Sequence, residues 1–437
     1  MTVGRGAAPV FRVPDGLPAR LPVERRGGGA GRDAVRLLVS RGPEVSGHMF
    51  RELPALLRAG DVLVVNTSPT LAAAVDGEVG HARVVVHFSV CGDDGRWAVE
   101  LREPDGSGTT RARAGSRVDT AVRLPGGARL VLEESAGGGE RLWWARLVAG
   151  DGGVPGRAAP GAAGTGVPEL LRRYGRPVRY AYTERDQPLS AYRTVFALRS
   201  DDGSGSAEMP GAGRPFTARV VTDLVRRGVQ FAPVRLDRGV APPEADGPPP
   251  AERFSVPEAS ARLIDAARAA GGRVIAVGAT AVRAVESAVE PLGASTGVGV
   301  PEGASGGVRH GQGARERGAA DPALRDGAPA GGGTADRALG DGGAAGAPAV
   351  VRAARGWTDL MVTPGRGTRV VDGLLTGLHG PRAPQRALLR ALAGERAVAR
   401  AYEEALHGLY LWHEFGDVHL VLPPENPHSE RCSSNSW

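Results

Sequence analysis

The stretch from residue 67 to 150 constrains the fold of this chain most. HARVVVHFSV, RWAVELRE, ARLVLEES and RLWWARLV are short alternating runs without helical period, separated by Gly and Asp turns such as CGDDGR and EPDGSG. Short strands at this spacing predict a small antiparallel barrel or sandwich. Trp143 and Trp144 are neighbours on one such strand, so one side chain points to a core and the other to a rim or interface.

On both sides of that stretch the pattern is different. DAVRLLVS (33–40) reads as a strand, and HMFRELPALLRAGDVLVVN reads as a short amphipathic helix followed by a buried strand ending at Asn66. From VPELLRRYG onward helical and strand periods alternate again, through TARVVTDLVRRG, VQFAPVRL, PEASARLIDAARAAG, RVIAVG and TAVRAVESAV. Structure is expected to resume at GWTDLMVTPG and VVDGLLTGLHGP, with a helix across 383–407 and a last strand in GDVHLVLP. The predicted fold class is therefore α/β: a body made of residues 33–66, 151–290 and 350–422, with a small antiparallel β-barrel inserted at 67–150. Residues 1–32, rich in Gly, Pro and Arg, are expected to be a flexible arm with a docking segment, and 423–437 a tail. Residues 291–349 hold Gly, Ala, Arg and Asp without apolar periodicity, which predicts a disordered insertion that cannot repay its ordering entropy.

The net charge of +6 would ordinarily point to an anionic partner. Here every one of the 54 basic residues is Arg and 66 residues are Gly, so the charge follows from a skewed residue usage and supports such a partner only weakly. The two cysteines, Cys91 and Cys432, yield neither a disulfide framework nor a zinc spacing, and no metal is expected. No signal-peptide core and no run of membrane-spanning length is found. These features predict a soluble cytoplasmic protein without a membrane partner; a monomer is expected, though none of these features fixes the oligomeric state.

The junction GGRVIAVGATAVRAVESAV (271–289) runs from a strand through Gly278 into a helix. Such a terminus leaves backbone N–H groups free for an anion or polar ligand atom. Thr280 sits at its mouth, with Arg283 and Glu286 behind; the plainer alternative is a helix cap and a surface ion pair at i, i+3 spacing. His379 in TGLHGP lies on a loop at a strand's carboxyl end, where ligands bind in open α/β sheets. It is a candidate for proton transfer near neutral pH, or a structural histidine bonded to a carbonyl. Asp372 within VVDGLL, Asp417 in FGDVHL and Asp359 in GWTDLM are further carboxylates at strand ends. TPGRG lacks the Lys-Ser/Thr of a triphosphate loop, and GAGRPF lacks the preceding strand of a dinucleotide fingerprint.

Taken in order, RELPALLRAGDVLVVNTS, YRTVFA, PGAGRPFT, GGRVIAVGATAVRAVESA, GWTDLMVTPG, VVDGLLTGLHGP and FGDVHL resemble the S-adenosylmethionine:tRNA ribosyltransferase-isomerase family of queuosine biosynthesis, from about residue 33 to 422. The resemblance implies an α/β body with an inserted β-barrel. It also implies a reaction in which the ribosyl part of S-adenosylmethionine, a cosubstrate, passes to the aminomethyl group of a 7-deazaguanine in tRNA. Adenine and methionine leave, and no metal takes part. Such chemistry needs a base beside the sulfonium and a neutral amine nucleophile.

By position, Asn66 matches the family's V-F-N-x-T-R, Thr194 its Y-x-T-V-F-A, and Gly278, Thr280, Arg283 and Glu286 its V-G-T-T-x-V-R-x-L-E-S. Asp359 matches W-T-D, Asp372, Thr376 and His379 match V-V-D-A-L-x-T-N-F-H, and Asp417 matches the Y-G-D ending. The resemblance thus implies catalytic roles for His379, Asp417 and Asp372, and substrate binding by Asn66, Thr194, Gly278, Thr280, Arg283, Glu286, Asp359 and Thr376. The chain also departs from the pattern. NTSPTLAAA (66–74) lacks two arginines of N-x-T-R-V-I-P-A-R, PGAGRPF puts Pro215 where P-T-A-G-L-H-F has its histidine, and Asp237 stands at the histidine of L-H-V-G-A-G-T-F. Because arginine contacts fix RNA position, two other readings stay open: transfer to a non-tRNA acceptor, and a silent RNA- or nucleoside-binding scaffold.

Overall fold

The computed structural model describes residues 11–106, 109–136, 139–148, 166–241, 250–291, 349–381 and 383–424. The first ten residues, almost all of the expected 291–349 insertion and the tail beyond 424, including Cys432, lie outside the described residues.

Along the chain, β1 (Arg36–Arg41), β2 (Glu44–Met49), helix α1 (Leu53–Leu56) and β3 (Val62–Asn66) come first. The barrel strands follow: β4 (Ala74–Val79), β5 (Ala82–Cys91), β6 (Trp97–Pro104), β7 (Thr110–Ala112), β8 (Ala121–Arg123), β9 (Arg129–Ser135) and β10 (Leu142–Val148). The chain continues through α2 (Val167–Tyr174), α3 (Leu189–Tyr192), α4 (Ala218–Arg226), β11 (Gln230–Leu236), β12 (Glu252–Val256), α5 (Glu258–Ala269), β13 (Val274–Val277) and α6 (Ala279–Ser287). It ends with β14 (Val289–Pro291), β15 (Ala349–Val351), β16 (Ala354–Thr358), β17 (Gly373–Gly377), α7 (Gln385–His407) and β18 (Val418–Leu422).

Among the described residues, one nine-stranded sheet has the order β16-β12-β11-β3-β13-β17-β18-β1-β2. Its centre, β11-β3-β13-β17, is parallel. All five residues of β3 are buried, because helices cover both faces of the sheet and a parallel strand so covered reads as an unbroken apolar run. Val62 and Val64 pack into the cluster with Ile264 of α5, Val282 of α6 and Leu389 of α7. Leu63 and Val65 pack into the opposite cluster with Val220 and Leu224 of α4.

The inserted unit is a sheet of order β10-β9-β8-β4-β5-β6, closed into a barrel by pairing of β6 with β10, with β7 appended to β6. Its core holds Val84, Val86, Phe88 and Trp97, and α2 seats Leu170 and Leu171 against it. Trp143 faces that core, whereas Trp144 is half-buried and lies under the Arg96 guanidinium at 5.6 Å.

Sequence reasoning and structure part in several places. Of residues 1–32, expected to be a flexible arm with a docking segment, residues 11–32 are packed: Leu17, Ala19 and Val23 are buried, and Ala19 N donates to Trp412 O at 3.0 Å. The expected helix in HMFRELPALLR is mostly a strand edge and a 3-10 turn, leaving α1 only four residues. Strand β12 (ERFSV) carried no apolar alternation strong enough to be foreseen. The long last helix is interrupted at Gly394, whose φ of 78° and ψ of 163° are non-helical.

At the amino ends of β3 and β13 a buried ion pair ties two central strands. Asp61 is fully buried and accepts Arg273 Nε at 3.0 Å, Arg273 Nη2 and the Arg58 amide. Removing one partner strands a buried charge, so Asp61→Ala should lower unfolding free energy by about 3–5 kcal/mol. Urea denaturation reads this, and a loss below about 1 kcal/mol would show that the pair is dispensable.

Candidate active site

A cleft of about 470 Å³ opens at the carboxyl ends of the central strands, within the size range of small-molecule sites. Its floor is Gly278 and Thr280 at the start of α6 and Thr376 and Gly377 at the end of β17. Other walls come from the segment around Pro210, from Arg238 after β11, and from the turn before β18, with Arg141 reaching in from the barrel.

The strand-to-helix junction is built by glycine. Gly278 has φ 90° and ψ 155°, a region that side-chain-bearing residues avoid. It is the helix N-cap, so Thr280 does not cap the helix as in the plainer expectation; it is buried in the first turn and lines the cleft. Arg283, one turn on, also lines the cleft and pairs with Glu252, while its Nε and Nη2 donate to Leu360 O at 3.0 Å and Thr358 O at 2.8 Å. Burial drives the Glu252 carboxyl above its ordinary range, against the pull of Arg283 and Arg238.

His379 lies on the loop after β17, half-buried at the cleft wall, with Nε2 3.3 Å from Thr376 Oγ1. Burial, aided by the charge of Arg238, depresses its pKa to about 3. So lowered, the imidazole favours its neutral, proton-accepting form, the accepting side of the proton-transfer role expected for it. Asp417 lines the cleft too, but both oxygens are occupied: the Arg36 amide at 2.8 Å, Arg36 Nε at 3.1 Å and the Leu411 amide at 2.7 Å. It locks the turn before β18 onto β1.

The remaining expected residues do not line the cleft. Asn66 is buried and clamps the strand ends, donating to Leu236 O at 2.9 Å and accepting from Ser68 N at 3.0 Å. Thr194 is buried elsewhere, and Asp359 is exposed outside the cleft. Asp372 precedes β17 and accepts the Val274 amide at 2.8 Å, at the opposite ends of these strands from the cleft; burial raises its pKa. Glu286 is buried and accepts the amides of Arg369, Val370 and Val371 at 2.9 to 3.2 Å, together with Arg366 Nη1 at 3.2 Å. At about 100° per residue it sits some 240° round the helix from Thr280, so the two cannot share a ligand.

Sequence reasoning missed one wall of the cleft, formed by Tyr180, Tyr182, Glu208, Arg238, His413 and Glu414. Tyr182 stacks on His413 at 4.2 Å and 9°. The His413 backbone has φ 71°, uncommon for a residue with a side chain, and its amide donates to Leu378 O at 3.2 Å. The sequence signal available was the crowding of Tyr, Glu and His in turn segments without apolar period. Among the described residues no group of three or more His, Cys, Asp or Glu is placed to hold a metal, and no helix is long and apolar enough to cross a membrane.

If Glu286 anchors the 366–371 loop rather than a ligand, Glu286→Gln should cost about 2–3 kcal/mol of stability through its unsatisfied amide donors. Ligand affinity measured below the melting transition should stay within a factor of about 3, or roughly 0.7 kcal/mol. A tenfold affinity loss with unchanged melting would return Glu286 to the site.

Comparison with known proteins gives this geometry a family. Relatives named S-adenosylmethionine:tRNA ribosyltransferase-isomerase include one from Rubrobacter xylanophilus, 30% identical over 425 residues, covering 94% of this chain and 96% of the relative. Another, from Moorella thermoacetica, is 29% identical over 423 residues, covering 94% and 98%. A crystal structure of S-adenosylmethionine tRNA ribosyltransferase from Thermotoga maritima aligns with TM-score 0.42 and 21% identity, over 94% of this chain and 99% of that one. The family model described as queuosine biosynthesis protein matches residues 9–307 and 326–421, and the chain belongs to that family.

Proposed function

We propose that this chain transfers and isomerises the ribosyl group of S-adenosylmethionine onto the aminomethyl-7-deazaguanine of tRNA, forming epoxyqueuosine and releasing adenine and methionine. The observation that carries the reading is the cleft at the carboxyl ends of β13 and β17, where Gly278, Thr280, Thr376 and His379 meet, in a chain of this family. In this reading Gly278 and Thr280 receive a polar part of S-adenosylmethionine, with Arg283 bracing the wall through Glu252 and the 358–360 backbone. His379 takes the acidic proton beside the sulfonium.

Burial supports that role in two ways. It keeps the imidazole unprotonated, and therefore able to accept. It also makes protonation costly in isolation, but removing a proton from a sulfonium neutralises one buried cation as the imidazolium appears, so the net charge of the cleft is unchanged. Thr376 Oγ1, 3.3 Å from Nε2, orients the ring, and Asp417 positions the neighbouring turn without touching the chemistry. The reaction needs no metal. We infer action as a monomer in the cytoplasm.

A non-tRNA acceptor is the second reading, and a specific observation favours it. Asp237, at the position of a matched histidine, is buried in an ion pair with Arg235 at 2.8 Å and accepts Ser68 Oγ at 2.6 Å. Among the described residues, Arg141, Arg238, Arg283 and Arg214 at the cleft are engaged by Glu100, Glu208, Glu252 and Glu24, so none of these four is left free for a phosphate.

The deciding experiment incubates the protein with S-adenosylmethionine and tRNA bearing the aminomethyl base. Release of adenine coupled to a mass gain on the tRNA is expected; adenine release without that gain favours the second reading, and no adenine release removes the enzymatic one. His379→Ala should abolish turnover while S-adenosylmethionine affinity changes by less than tenfold, about 1.4 kcal/mol. Unaltered turnover would take His379 out of the mechanism.

A further inference from the structure

Two carboxylates face the same end of the cleft, and only one of them is neutralised. Glu208 accepts Arg238 Nε at 2.9 Å, the Ala241 amide at 2.7 Å and the Tyr180 hydroxyl. Glu414 accepts Thr183 Oγ1 at 3.2 Å and has no ion pair among the described residues. Around it stand the Tyr182 ring, stacked on His413, and the Tyr180 ring with its centroid 6.0 Å from that of Tyr182. Burial lowers the pKa of His413, whose ring lies flat against Tyr182 and presents an aromatic face beside Glu414.

A desolvated carboxylate without a cation either takes up a proton or takes in a positive ligand. Aromatic faces flanking it favour the second outcome for an organic cation. Among organic cations an ammonium suits this wall better than a sulfonium, because only the ammonium has N–H donors to give a carboxylate. We propose that Glu414, framed by Tyr182 and His413, binds the protonated aminomethyl group of the acceptor and accepts one of its protons, leaving a nucleophilic amine. An N–H bond of the ammonium breaks, an O–H bond forms on Glu414, and the electron pair stays on nitrogen. The assignment rests on the cleft being the ribosyl-transfer site, and it names the element that selects an amine acceptor there.

The charged surroundings set the pH at which this wall works. Burial pushes the Glu414 acid up to about 7, and the Glu208 charge adds to the rise; Thr183, Arg238 and Arg214 oppose it. Since the anion is the binding form, amine recognition strengthens as pH rises through about 7, while an alkylammonium keeps its proton to well above that.

Equilibrium binding of two free bases tests the proposal independently of turnover: 7-aminomethyl-7-deazaguanine and the same base with a neutral 7-methyl group, each with S-adenosylmethionine present. The wild type should bind the amine at least tenfold more tightly at pH 8, and the preference should shrink severalfold at pH 6. Glu414→Gln should abolish the preference without changing S-adenosylmethionine affinity by more than twofold. A preference that is absent, independent of pH, or retained in Glu414→Gln overturns the assignment. Should the variant not fold, the wild-type pH series decides alone. A pH-dependent preference with no turnover on tRNA would sink the proposed reaction and leave the amine wall standing.

Discussion

The parallel pairing of β3 between β11 and β13 is the constraint on which everything else hangs. Five consecutive residues, Val62 to Asn66, are buried, so neither face can tolerate a polar side chain until the strand ends. At that end the polar residues begin: Asn66 ties its backbone neighbourhood to Leu236, and the loops after β11, β13 and β17 open outward together. The cleft is the place where the continuous apolar core stops. Its position follows from strand direction, because parallel strands put their carboxyl ends, and thus their loops, on one edge.

Much of this frame was legible in the sequence. VLVVN, VIAV and the paired helices α5 and α6 announce a doubly covered parallel sheet through apolar runs and 3.6-residue periods. The barrel announces itself through alternation broken by Gly and Asp turns. Elements that escaped were those whose partners, not their own pattern, make them fold. β12 begins with Glu252, a charged residue that is buried because Arg283 lies against it; nothing local in ERFSV reveals that arginine 31 positions later. Similarly, the packed part of the amino-terminal segment holds its place through Trp412 and through Glu24 paired with Arg214, contacts that composition cannot report.

The site was legible to the extent that neighbours in sequence stay neighbours in space. Gly278 with Thr280, and Thr376 with His379, meet because each pair spans one junction. Matched positions farther along a helix or strand scattered: Glu286 rotates away to hold the 369–371 amides, and Asp372 lies a strand's length from the cleft. The wall of Tyr180, Tyr182, Glu208, His413 and Glu414 had no chance of being read, since it is assembled from three turn segments more than two hundred residues apart at the extremes. Long-range assembly of that kind is where a scaffold can change its chemistry while its strands stay the same.

Strand β1 pairs in parallel with β18, Leu37 opposite Val418 and Arg41 opposite Leu422. The sheet thus joins two strands far apart in sequence, and Asp417, next to that pairing, is held by Arg36. The barrel's strands are local in sequence, whereas the nine-stranded main sheet needs β18 to link β17 to β1. Because loop closure of this length must precede the contacts that reward it, the β1–β18 pairing carries the largest closure cost in the main sheet. A chain cut a few residues before Val418 keeps every barrel strand and loses the one strand that links β1 and β2 to the rest of the main sheet.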